Sequence, residues 1–174
     1  MNPGCTSTPW PWCQATAQIG WVGLGNPALM DDGVGVAVVE ALQKSGQIPY
    51  ALQAGTELER HLHRLRAWPV QEVVFVDAID FGGKPGSLAW WKAEQLPMNL
   101  DRLDTHRIPL QLAGRYLSEA GDQQVWIIGI QPQQIRPGTQ LTDPVRRTVD
   151  LFVEWVLGKQ FQRAREPISK KVGA

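Results

Sequence analysis

The sequence predicts an α/β fold: a three-layer sandwich in which a mostly parallel sheet of about five strands is flanked by helices. Three observations carry this expectation. Short apolar runs at 19–24, 72–77 and 125–130 read as strands buried on both faces. Apolar residues at helical spacing lie between and after these runs, as in Val34, Val38 and Leu42. Strands that alternate with helices build parallel pairs, because each parallel connection has to cross over the sheet.

Taken in order, residues 1–16 form an irregular extension, broken by Pro3, Pro9 and Pro11. It holds both cysteines, Cys5 and Cys13, expected as reduced thiols on a mobile tail. Ile19-Gly-Trp-Val-Gly-Leu24 is the first strand. The helix that follows ends near Gly46; it rests on periodicity, since its valines are not strong helix formers. Ile48 to Gln53 is a second strand. Thr56 and Glu59 have capping-box spacing, which predicts a helix starting there and ending before Pro69. Glu72-Val-Val-Phe-Val-Asp77 is the clearest buried strand, and Gly82-Gly-Lys-Pro-Gly86 is a turn. Ser87 to Lys92 reads as an antiparallel edge strand, on which Trp90 and Trp91 point to opposite faces, one inward and one outward. Residues 93–104 are an irregular connection.

His106 to Glu119 has helical spacing, with Pro109 in its first turn. Val125-Trp-Ile-Ile-Gly-Ile130 is the last strand, and a loop rich in Pro and Gln follows. Thr142 is placed to cap the final helix, with Pro144 just inside it. Val145, Val149, Phe152, Val153 and Val156 form that helix's apolar stripe, and the polar chain after Gly158 is expected to fray. The division is therefore an extension (1–16), one α/β domain (17–160) and a polar tail (161–174).

Composition narrows the function. The chain has 174 residues, enough for one domain with a substantial core, and 43% of them are hydrophobic. Lys plus Arg and Asp plus Glu are both 17, which gives no electrostatic reason to expect a nucleic-acid partner. No apolar run approaches the roughly 20 residues of a membrane span. The N-terminus lacks the basic and apolar regions of a signal peptide. A cytoplasmic monomer is the expectation.

The segment most able to carry chemistry is Val22-Gly-Leu-Gly-Asn-Pro-Ala-Leu-Met-Asp-Asp-Gly-Val-Gly-Val36. Its glycines permit a tight turn, and Asp31 and Asp32 then stand beside a helix start. Asp77 ends another strand. In open α/β sheets, ligands gather at the carboxyl ends of the strands, so these acids can share one crevice. Close carboxylates repel one another, and either a shared proton or a bound cation relieves that repulsion. His106 favours the cation, because an imidazole with two carboxylates suits a borderline transition metal and leaves positions open. Each residue also has a plainer role: Asp31 as a helix N-cap, Asp32 as a complement to the helix dipole, Asp77 as a turn residue, His106 as a structural histidine. His61 and His63, two residues apart on a helix, face different ways and read as solvated. The turn does not match a dinucleotide site: it is G-x-G-N with Ala28 where the third glycine belongs, and Gln53 stands where the ribose-binding acid would.

Gly23-Leu-Gly-Asn26, Asp31-Asp32-Gly-Val-Gly35, Val76-Asp77-Ala78 and Thr105-His106 together resemble the hydrogenase maturation endopeptidases. The specific part is G-x-G-N-x(4)-D-[DE]-x-x-G. Gly129-Ile-Gln-Pro132 and Leu141-Thr-Asp-Pro-Val145 look like the family's last strand, loop and helix cap, so the similarity spans roughly 18–158 in the family's element order. The resemblance implies a phosphorylase/hydrolase-like sandwich. It also implies a protease that removes a C-terminal extension from the precursor of the NiFe-hydrogenase large subunit after nickel insertion. The nickel is presented by that precursor, and no organic cofactor is implied. By motif position, the catalytic, metal-ligating residues are Asp32, Asp77 and His106. The first is often Glu in the family; Asp is one methylene shorter and keeps the chemistry. Asn26 and Gly33 are candidates for stabilising an oxyanion, Gly55 and Thr56 for substrate contact. One departure is Gln53-Ala-Gly-Thr56, where the family often has Asp-Gly-Gly-Thr. The alternatives are a metal-free aspartic-type protease on Asp32 and Asp77, a peptidyl-tRNA hydrolase-like enzyme sharing Gly-Leu-Gly-Asn-Pro, and a non-enzymatic nickel- or precursor-binding chaperone.

Overall fold

A computed structural model describes residues 18–97 and 110–165. Five strands, β1 (Ile19–Leu24), β2 (Ala51–Gly55), β3 (Glu72–Ala78), β4 (Leu88–Lys92) and β5 (Gln124–Ile130), form one sheet in the order β2-β1-β3-β5-β4. The β2–β1, β1–β3 and β3–β5 pairs are parallel; β4 runs antiparallel to β5 at the edge. The helices are α1 (Val34–Lys44), α2 (Leu62–Arg66), α3 (Leu110–Gly121) and α4 (Asp143–Arg165). The expected mostly parallel α/β sandwich is the observed one.

The three layers follow from the period of two along each central strand. Trp21, Val74, Val76, Trp126 and Ile128 project into a core shared with Val38 and Leu42 of α1 and Val149 and Phe152 of α4. Their neighbours Val22, Leu24, Val73, Phe75, Val125 and Ile127 project into a second core with Leu65 of α2 and Ala113 and Leu117 of α3. Every residue of β1 and β3 is buried, which is why these strands read as unbroken apolar runs. Trp21 meets Phe152 edge-on, with ring centroids 5.8 Å apart, and so fastens the sheet to α4.

Four details differ from the sequence reading. β2 starts at Ala51 rather than Ile48, because Pro49 interrupts the run before Tyr50 accepts the Trp21 N–H. Thr56 caps no helix: Gly55, at φ 58°, turns the chain, and a 3-10 turn at Leu58–Arg60 precedes a short α2 with no side-chain cap on either. Trp90 and Trp91 do alternate, but neither faces solvent outright. Trp90 lies against the α1/α4 core, and Trp91 against the α2/α3 core beside Phe81. The last helix continues past Gly158 to Arg165. The 1–16 extension with Cys5 and Cys13, most of the 93–104 connection and the expected start of the helix at His106 lie outside the described residues. Among the described residues, no helix is long and apolar enough to cross a membrane.

Candidate active site

The strand order reverses direction at β1: the chain moves outward to β2, then returns across β1 to β3. The crevice outside the carboxyl ends of β1 and β3 is therefore the topological switch point, where ligands of such sheets bind. The Asn26–Gly33 segment leaves β1 into this crevice, and Asp77 is the penultimate residue of β3.

Backbone contact brings the pieces together. Gly25, at φ 100°, follows β1 directly, and a Cβ there would collide with the carbonyl oxygen of Asp32 and come within 3.5 Å of Asp77 Oδ1. The Asp32 backbone and the Asp77 carboxylate thus flank one glycine. Gly35 serves the same end, since a Cβ on it would strike the carbonyl of Val76; its absence lets α1 begin directly over β1 and β3.

Each acid is buried and held. Asp32 is fully buried, and its Oδ2 accepts the Asn26 N–H at 2.7 Å. Asp77 is 3% exposed, and its Oδ1 accepts the N–H of Ala78 at 2.8 Å. Asn26 uses its side-chain oxygen to accept the Ala28 N–H, closing the turn that carries Pro27. Gly33 ends the 3-10 turn Met30–Gly33 and leads into α1; a Cβ on it would come within 2.6 Å of Pro27. Gly55 joins the site, because its carbonyl accepts the Gly25 N–H at 3.1 Å, and the half-buried Thr56 follows it. The family's acid position is Gln53, and here its side chain turns to α1, donating to Gln43 Oε1 at 2.7 Å. His106 lies outside the described residues, and among those described no three His, Cys, Asp or Glu side chains form a metal-sized cluster. His63 on α2 is exposed, as the solvated reading expects, whereas His61, at the cap position before α2, is half-buried. In donor chemistry the buried carboxylates of Asp32 and Asp77 suit a cation, but the space beside Gly25 is taken by the Asp32 backbone carbonyl and leaves no room for one there.

Asp31 is not an N-cap. The 3-10 turn has Leu29 at its cap position, with no side-chain cap, and the buried Asp31 carboxylate points instead to the loop after β5. It accepts the N–H groups of Gln133, Gln134 and Thr142 at 2.9, 2.9 and 2.7 Å, and the Thr142 hydroxyl at 2.8 Å. Thr142, expected as a cap, spends its hydroxyl here. The sequence reading also missed the role of Gln131. Its buried amide oxygen accepts the N–H groups of Phe81 and Gly83, and its amide nitrogen donates to Asp80. That bond, with a second from the Gly82 N–H, holds the Asp80 carboxyl below its ordinary value. The Gly-Ile-Gln-Pro motif was the available signal; its role in holding the loop after β3 was not visible without the fold.

Comparison with known proteins decides the family. A family model for hydrogenase maturation proteases matches residues 36–159, well over half of the chain. The chain belongs to the hydrogenase maturation proteases. This maturation protease is 32% identical over 148 residues to a Methanocaldococcus jannaschii protein whose name assigns it, provisionally, to the same group; the match covers 79% of this chain and 93% of the relative. It is 24% identical over 160 residues to the hydrogenase 2 maturation protease of Escherichia coli, covering 86% and 94% of the two chains. Its fold resembles the crystal structure of the NiFe-hydrogenase maturation protease HycI from Thermococcus kodakarensis, with a TM-score of 0.75 and 26% identity over 83% of this chain and 93% of that one. The maturation protease is accordingly an endopeptidase, a peptide-bond hydrolase, which sets aside the peptidyl-tRNA hydrolase and chaperone alternatives.

Proposed function

We propose that this protease removes the C-terminal extension of a NiFe-hydrogenase large-subunit precursor once nickel has been inserted. The nickel enters as part of the substrate, held by the precursor. The observation that supports this reading most is that two buried acidic residues reach the switch point together: the Asp32 backbone and the Asp77 carboxylate both lie against the side-chain-free Gly25. Buried acids on neighbouring strand ends favour a positive charge at the crevice, and a loaded precursor supplies one. Asp32, Asp77 and His106 are the groups assigned to grip the ion. The divalent ion polarises the adjacent peptide carbonyl as a Lewis acid.

The chain's own residues do the rest. The Asn26 N–H fixes the Asp32 carboxylate, and the Ala78 N–H fixes that of Asp77, so neither has to reorganise when substrate arrives. Asn26 and the backbone N–H at Gly33, at the start of α1, are the donors assigned to the oxyanion. Gly55 and Thr56, tied to Gly25, are assigned to the substrate's backbone. The partner is the precursor polypeptide, met by a cytoplasmic monomer.

The test is intact-mass measurement of purified precursor, loaded with nickel or left empty, after incubation with the protease. Loss of one C-terminal peptide from the loaded form alone is expected. Equal cleavage of both forms, or chelator-insensitive cleavage with an acidic optimum, overturns the nickel-dependent mechanism in favour of an aspartic one. An unchanged mass for both overturns the substrate assignment.

A further inference from the structure

We propose that Asp31 is a positioning residue: its buried carboxylate locks the loop after β5 onto the acid-bearing turn and so fixes where Asp32 presents its own carboxylate. The catalytic half of this inference rests on the function proposed above; the geometric half does not.

The turn between Leu29 and Gly33 is not self-supporting. Met30 sits at φ 52°, a left-handed conformation that non-glycine residues rarely adopt. A strained residue persists only where its surroundings over-determine it. Here the surroundings are the distant 133–142 loop. Gly138 O accepts the Met30 N–H at 2.8 Å, Gln134 O accepts the Asp31 N–H at 3.2 Å, and the Gly138 N–H returns to Ala28 O at 2.9 Å. Gly138 itself has no room for a side chain, since a Cβ would come within 2.9 Å of Met30 Cγ.

The Asp31 side chain closes this arrangement. Its two oxygens accept four hydrogen bonds from residues 102 to 111 positions away, three of them from backbone N–H groups. A carboxylate is suited to the place because it only accepts, and every group facing it donates. An amide would turn an N–H₂ toward at least one of those donors. Asp32 is the next residue on the same turn, and its Oδ2 is held by the Asn26 N–H from the turn's other end. Releasing the loop therefore frees the Met30–Asp32 backbone, and the first bond to lengthen is the one between Asn26 and Asp32.

Three variants test this: Asp31→Asn, Thr142→Val, which removes only the hydroxyl donor, and Val149→Ala, a buried α4 substitution away from the crevice that controls for stability. Two readouts are taken below all melting transitions: amide hydrogen exchange at Asn26, and kcat and KM for nickel-loaded precursor. Asp31→Asn is expected to speed Asn26 exchange at least tenfold relative to the amide of Val76 in the sheet, and to lower kcat by a similar factor with KM within about twofold. Thr142→Val should show the same pattern at severalfold. Val149→Ala should show neither change. Unaltered Asn26 exchange in both loop variants, or an equal kcat loss in Val149→Ala, overturns the proposal. If Asp31→Asn does not fold, Thr142→Val decides alone. If the wild-type protein cleaves no precursor, the proposed function fails, while the exchange measurement still judges the role of Asp31.

Discussion

Gly25 shows how tightly single residues are constrained in this crevice. It combines a positive φ with a backbone approach that admits no Cβ, so both its conformation and its lack of side chain are required. Gly25→Ala is expected to destabilise the protein by about 3 kcal/mol or more, measured by urea unfolding, because it adds strain and a collision that only the turn can absorb. A loss below about 1 kcal/mol would show that the turn yields freely. The residue scale is also where the sequence is hardest to read. Two adjacent acids were visible as one motif, yet they do different things. Asp32 turns to Asn26 within the same turn, while Asp31 turns to Gln133, Gln134 and Thr142. That Asp31 turns away from the turn depends on partners about a hundred residues away, and no local pattern encodes that.

At the scale of elements, the runs that rely on burial were legible and those that rely on local chemistry were less so. β1, β3 and β5 declare themselves because both faces of each strand are covered. The Thr56–Glu59 capping signal failed because Gly55 is committed to Gly25, which redirects the chain before a helix can start. The loop between β3 and β4 is another element set from a distance, by Gln131, and its stability should respond to pH. The Asp80 carboxyl lies below its ordinary value of 3.8 through its bonds from Gln131 and the Gly82 N–H. A depressed carboxyl contributes stability that is fully present above the ordinary value and is lost as pH falls through the lowered one. The gap in melting temperature between wild type and Asp80→Asn should therefore stay constant from neutral pH to about 4 and shrink below 3.8. The effect is small, because Asp80 is exposed and solvent screens it. A gap that instead widened on acidification would contradict the assignment.

Across the whole molecule, the sandwich class could be read from alternating strands and helices, but the strand order could not. The order β2-β1-β3-β5-β4 puts the ends of β1 and β3 side by side, and that adjacency brings the Asp32-bearing turn and Asp77 to the same edge of the sheet. The motif pattern supplied the family and the likeness to known maturation proteases bears it out; the topology supplies the reason the motif works. The central claim is that Asp32 and its crevice process a hydrogenase large subunit. The most direct measurement is the intact mass of that subunit produced in cells alongside either the wild-type protein or a folded Asp32→Ala variant. The account predicts a shortened C-terminus with the wild type and the full-length precursor with the variant; a shortened subunit in both would contradict it.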